Sequence, residues 1–129
     1  MAVSTKVFTP RTTESKQIVE ITELGIAAQN AATTGKKISW IKPNNLSNSA
    51  TTYLVGYDSA APTVGTTQVD VCIPVPGNAG GAGKGSIRVF PPLVGLANLT
   101  VAAKTQAGTG PASPTAPSAS FGVDYGVDA

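Results

Sequence analysis

Apolar and polar residues alternate with a period near two along much of this chain, and clusters of turn-forming residues interrupt the alternation at short intervals. Gln17-Ile18-Val19-Glu20-Ile21-Thr22-Glu23-Leu24 places Val19 and Ile21 on one face and Ile18, Glu20 and Thr22 on the other. That alternation is imperfect, so it predicts a strand while leaving a short helix open. Lys37–Ile41 predicts a second strand, ended by Pro43-Asn44-Asn45, and Thr51–Tyr57 a third, closed by Asp58-Ser59-Ala60-Ala61-Pro62. Thr67–Ile73 alternates cleanly, with Val69, Val71 and Ile73 together. Pro74 and Pro76 then remove ladder donors and predict an edge position. Ser86–Phe90, Leu99–Thr105 (Leu99, Val101 and Ala103 on one face) and Ala119–Val123 complete the set. No segment supports a helix comparably. Short strands separated by turn clusters predict an all-β domain, a sandwich or small barrel.

Two stretches fall outside this pattern. Residues 1–16 are polar apart from Val7 and Phe8 and are expected to form an N-terminal arm. Residues 122–129, Gly-Val-Asp-Tyr-Gly-Val-Asp-Ala, are expected to form a short C-terminal tail. The sandwich domain is thereby assigned to 17–121.

Composition narrows the chemistry. At 129 residues the length is that of one domain, and charged residues make up 12%, about half the usual share. There is no His, so histidine-based acid–base catalysis, Ser-His-Asp triads and histidine metal sites are excluded. Cys72 is the single cysteine, which excludes a cysteine zinc cage and an internal disulfide. A hydrophobic fraction of 41% with a net charge of +2 argues against disorder throughout. No cofactor and no enzymatic activity are expected. Lys6, Arg11, Lys16, Lys36, Lys37 and Lys42 make the first third mildly basic, well short of a nucleic-acid footprint. Lys36 and Lys37 read as a solvated hairpin end beside Gly35. No apolar run is long enough to span a membrane, and the N-terminus lacks a secretory signal, so synthesis in a cytoplasm is expected.

Several motifs have ordinary explanations. Asn78–Ser86 resembles a phosphate loop but carries Asn78 where the first Gly belongs and Gly85 between Lys84 and Ser86, so it reads as a flexible hairpin loop. Asp124 and Asp128 supply too few oxygens for a calcium site. Asn45-Leu46-Ser47 and Asn98-Leu99-Thr100 match the glycosylation sequon by accident if no signal peptide exists. Trp40 is expected to anchor the core, with Tyr53 and Tyr57 packing on one face of their strand.

Lys37-Ile38-Ser39-Trp40-Ile41-Lys42-Pro43 resembles the second strand of a fibronectin type III domain, whose core Trp is followed shortly by Pro. Thr52–Tyr57 resembles the third strand. Val101–Ser113, with Gly108-Thr109-Gly110-Pro111-Ala112-Ser113, is similar to the sixth strand and the turn that follows it. The resemblance covers about residues 35–121. The family's tyrosine-corner position falls on Ala97, so that clamp is absent. It implies an immunoglobulin-like (fibronectin type III-like) β-sandwich, and such sandwiches serve as adhesion modules, spacers in glycan-degrading enzymes and surface domains of bacteriophages. For a small, charge-poor single domain the expectation is a virion structural protein: a bacteriophage capsid decoration (cement) protein on the virion surface. Its partners would be the major capsid protein and neighbouring copies of itself, with no nucleic acid and no membrane. Lys6, Val7, Phe8, Arg11 and Lys16 would be the contact residues of the arm. The alternatives are a free carbohydrate- or protein-binding module, favoured if Tyr53, Tyr57 and Tyr125 form an exposed planar face, and a self-assembling coat, head-fibre or tail subunit.

Overall fold

The computed structural model describes residues 16–32, 38–78 and 98–128, and among these the regular structure is all strand. Seven strands occur in chain order: β1 (Lys16–Ile21), β2 (Gln29–Ala32), β3 (Ile38–Asn44), β4 (Thr52–Tyr57), β5 (Val71–Val75), β6 (Leu99–Lys104) and β7 (Gly122–Asp128). They form two antiparallel sheets, one in the order β1-β7-β3 and one in the order β2-β6-β4-β5. Ile21, Ile41, Val123 and Tyr125 of the first sheet and Leu54, Val75, Leu99, Val101 and Ala103 of the second bury their side chains in one shared cluster. Each fully buried aliphatic side chain there contributes about 1.5–3 kcal/mol by leaving water. Two antiparallel sheets over one core are compatible with a β-sandwich.

Local chemistry explains most strand positions. β4 and β6 are the inner strands of the four-stranded sheet, and all six residues of β6 are buried. Pro74 lies within β5, which is an edge strand as the prolines predicted. That strand begins at Val71, later than its pattern indicated. Residues 67–70 instead close a loop, because the Asp70 N–H donates to the Gly56 carbonyl and its carboxylate accepts from Asp58 N at 2.7 Å. β3 runs through Pro43 rather than stopping there, which an edge strand allows. The strand expected at 86–90 and the loop from residue 79 onward lie outside the described residues.

Two elements differ from expectation. Residues 122–128 are not a tail: they form β7, the central strand of the three-stranded sheet, paired with both β1 and β3. Their Gly-Val-Asp-Tyr-Gly-Val-Asp sequence is itself a period-two pattern, with Val123 and Tyr125 buried in the core and Asp124 on the opposite face. β2, Gln-Asn-Ala-Ala, carries no strand-forming residue. It is held by pairing with β6, with a register shift between Asn30 and Ala32.

The four-stranded sheet is also covered on its outer side. Val55, Tyr57 and Ala102 are fully buried there, with Tyr53, Val64 and Val69 packed against them. Loop 58–70 brings Val64 and Val69, and the segment after β6 packs on that loop at Gly65. Gly65 has φ 91° and lies so close to the 111–114 segment that a Cβ would stand 2.5 Å from the Pro111 carbonyl. Thr105 N donates to Thr115 O at 2.9 Å, and Gln106 exchanges two 3.0 Å hydrogen bonds with Thr115. This long connection carries the chain from β6 across to β7 in the other sheet.

Candidate partner-binding surface

The outer side of the three-stranded sheet is different in character. Ile21, Ile41 and Val123 point into the core, so their strand neighbours Glu20, Lys42 and Asp124 lie on the other face. Register places them in one row: Asp124 is directly opposite Glu20 on one side and Lys42 on the other. Lys42 is exposed; Glu20 and Asp124 are half-buried. Partial burial holds the Asp124 carboxyl above its ordinary range, the Glu20 carboxylate adds to that, and the Lys42 ammonium opposes it. Like charges facing each other across strands repel, and Lys42 relieves only part of that repulsion.

The row borders an open groove of about 330 Å³, walled further by Thr22, Asn44, Ser47 and Ser120. Asn44 Oδ1 accepts from Leu46 N at 3.0 Å, and Ser120 Oγ donates to Glu23 Oε1 at 3.2 Å, so polar groups of the rim are fixed in place. A second hollow of about 370 Å³ lies beyond Glu23, between Leu24-Gly25 and residues 116–121.

Beneath the rim a buried amide network ties the β3–β4 connection to the crossover. Asn45 is fully buried. Its Nδ2 donates to Ala50 O and Val75 O, both at 3.0 Å, and its Oδ1 accepts from Asn48 Nδ2 at 2.8 Å and Thr52 Oγ1 at 3.1 Å. Asn48 Oδ1 accepts from Ala119 N at 2.8 Å. The Asn45 side chain of the Asn45-Leu46-Ser47 sequon is thus sealed inside the fold, and a glycan on its Nδ2 is incompatible with this packing.

Trp40 is placed otherwise than expected. It is half-buried, on the face of β3 opposite Ile41, and its indole lies over Gly126 of β7 rather than within the shared core cluster. Phe121 and Tyr125, both almost wholly buried, are the aromatic residues of that core cluster. Trp40 therefore shares the outer face with Lys42 and Asn44, adding an aromatic surface beside the charged row.

Of the other residues singled out, Lys16 is the first residue of β1, with its Cα opposite Asp128. Lys6, Val7, Phe8 and Arg11 lie outside the described residues. Tyr53, Tyr57 and Tyr125 do not form an exposed face: Tyr57 and Tyr125 are buried, with burial pushing both hydroxyls up, and Tyr53 is half-buried. Lys104, unremarkable by sequence, is fully buried under the crossover, with Nζ donating to Thr109 O at 2.5 Å. Desolvation lowers its ammonium pKa, against a smaller opposing effect of Cys72, which is exposed on β5.

No group of three His, Cys, Asp or Glu side chains placed to hold a metal occurs among the described residues, and no described helix is long and apolar enough to cross a membrane. The charged row escaped sequence reasoning because it joins residues about a hundred positions apart, and only strand register brings them together. What this face offers chemically is recognition through charge, hydrogen bonds and one aromatic ring. Compared with protein-family models and with curated proteins, the chain matches none.

Proposed function

We propose that this chain is a non-enzymatic structural protein of a virus particle, a capsid decoration (cement) protein that binds the outer surface of a bacteriophage shell and reinforces it. The observation carrying the proposal is the asymmetry of the two sheets. Among the described residues, the four-stranded sheet is roofed by loop 58–70 and the three-stranded sheet presents a charged and aromatic surface beside β1, into which the N-terminal segment leads.

The fibronectin-like reading is kept in a general form. β4 and β6 are neighbours, as the third and sixth strands are in immunoglobulin-type sandwiches. The last strand, which such sandwiches place beside the sixth, here pairs in the other sheet with β1 and β3. The fold proposed is thus an immunoglobulin-like sandwich with its own strand order.

Docking rests on residues 1–15 as well as on the sheet: Lys6 and Arg11 meet acidic patches of the shell while Val7 and Phe8 supply apolar contact. Ordering such a segment costs free energy, which many identical contacts on a lattice offset through multivalency. Density-gradient fractionation of the native source, with the chain followed by mass spectrometry, tests the proposal. Co-migration with large particles at high copy number relative to a major shell protein is the expected result; recovery in the soluble fraction alone rejects it.

A further inference from the structure

We infer that Cys72 is a site of oxidative modification: a hydroperoxide converts its thiol to a sulfenic acid and, in excess, to a sulfinate, and the Tyr57 hydroxyl holds the added oxygen. The site lies on the outer side of the four-stranded sheet and is independent of the shell contact proposed above. Cys72 is exposed on the edge strand β5, so a small oxidant reaches its sulfur. Register places it opposite Val55 of β4, which belongs to the outer cluster with Tyr57 and Ala102. Tyr57, two residues further along β4, is therefore the diagonal neighbour of Cys72 on the same face. Such neighbours stand about 7–8 Å apart at the backbone, within reach of an aromatic side chain.

The hydroxyl supplies the second, independent observation. It is buried, with no hydrogen-bond partner among the described residues. Burial chiefly raises its pKa and negative charge on Cys72 adds to that, so the two groups act on each other. A thiol sulfur is a weak acceptor, whereas an oxygen bound to that sulfur accepts strongly, and most strongly when anionic. Lys104 shares this face, because its Cα partner Tyr53 alternates with Val55 along β4. Burial lowers the Lys104 ammonium and negative charge at Cys72 opposes that effect, so an anionic product at Cys72 favours the buried cation. In the reaction, sulfur attacks the nearer peroxide oxygen. An S–O bond forms as the O–O bond breaks, sulfur gives up two electrons, and the departing oxygen takes the thiol proton and leaves as water or an alcohol. A second hydroperoxide repeats the step on the sulfenic acid and yields the sulfinate.

Oxidation of the full-length chain tests this. Hydrogen peroxide with dimedone present should give a single dimedone adduct, on Cys72. Excess peroxide alone should add two oxygens to the peptide that carries it, and Cys72→Ser should show neither change. Any exposed thiol could do as much, so the deciding variant is Tyr57→Phe. Delayed addition of dimedone measures the lifetime of the sulfenic acid, which should be about fivefold shorter in Tyr57→Phe, the worth of one neutral hydrogen bond. In urea, Tyr57→Phe should raise the unfolding midpoint of the reduced protein and lower that of the sulfinate protein. Cys72→Asp places anionic oxygens at the same position without any oxidant, and there too Tyr57→Phe should lower the midpoint. An unchanged lifetime, a midpoint that rises with Tyr57→Phe in the sulfinate or the Cys72→Asp protein, or a disulfide-linked dimer in place of the oxygenated monomer overturns the inference.

Discussion

Gly126 lies directly opposite Trp40 in the pairing of β3 with β7, and a Cβ at that position would overlap the indole ring. The glycine is required by close approach, for its neighbours already form ordinary strand. Gly126→Ala is expected to push the indole outward and cost about 1–3 kcal/mol, read by urea unfolding together with a red shift of Trp emission. The same substitution in a Trp40→Ala background should cost clearly less, since the two residues act as one unit. Equal costs in both backgrounds would show that the ring does not rest on Gly126.

Asn45 satisfies four partners at once, and no smaller or charged residue can. Asn45→Ala should cost about 3 kcal/mol, because the carbonyls of Ala50 and Val75 lose a buried donor. Asn45→Asp should be at least as damaging, since a carboxylate would then face those two carbonyls. Asn48→Ala should cost about 1–3 kcal/mol and speed proteolysis within 105–120, because Ala119 N loses its acceptor. Chemical denaturation and timed digestion measure the two effects.

The Tyr57 hydroxyl is buried, with no hydrogen-bond partner among the described residues. Its ring packs with Val55 and Ala102. Tyr57→Phe is expected to stabilise the fold by about 1 kcal/mol, seen as a higher midpoint in urea. A loss of stability would show that the hydroxyl is satisfied after all.

Asp124 has a definite sign of pH dependence. Its folded pKa is raised above 3.8, chiefly by burial, so the folded state holds this proton more tightly than the unfolded chain does. The contribution of Asp124 to stability therefore falls as pH rises from about 3.8 through the folded pKa, and it stays unfavourable above that. Asp124→Asn should be more stable than wild type at neutral pH, with the gap closing in acid. Thermal unfolding of both proteins across that range checks it, and a gap that widens in acid would reverse the assignment.

Much of the fold was legible locally. Thr52–Tyr57 and Leu99–Lys104 lie where their alternation placed them, and Pro74 marked an edge strand because a missing N–H is tolerable only there. The candidate site was barely legible. Its row needs Glu20, Lys42 and Asp124 in register, and Trp40 looks like a core residue until its neighbour Ile41 is seen to take the inward position.

The sequence by itself determined the class of the molecule: a strand-rich chain, without histidine chemistry, whose alternation and turn clusters marked several of the described strands. Those features depend on backbone preferences and on side chains one or two positions apart. Only the tertiary structure decided that Gly122–Asp128 is a central strand, that Gln29–Ala32 is a strand at all, and which outer face is roofed. These outcomes depend on contacts between residues tens of positions apart. Their stability comes from burial and hydrogen bonds made only after the intervening loops close, and no short stretch of sequence records which partner it will meet.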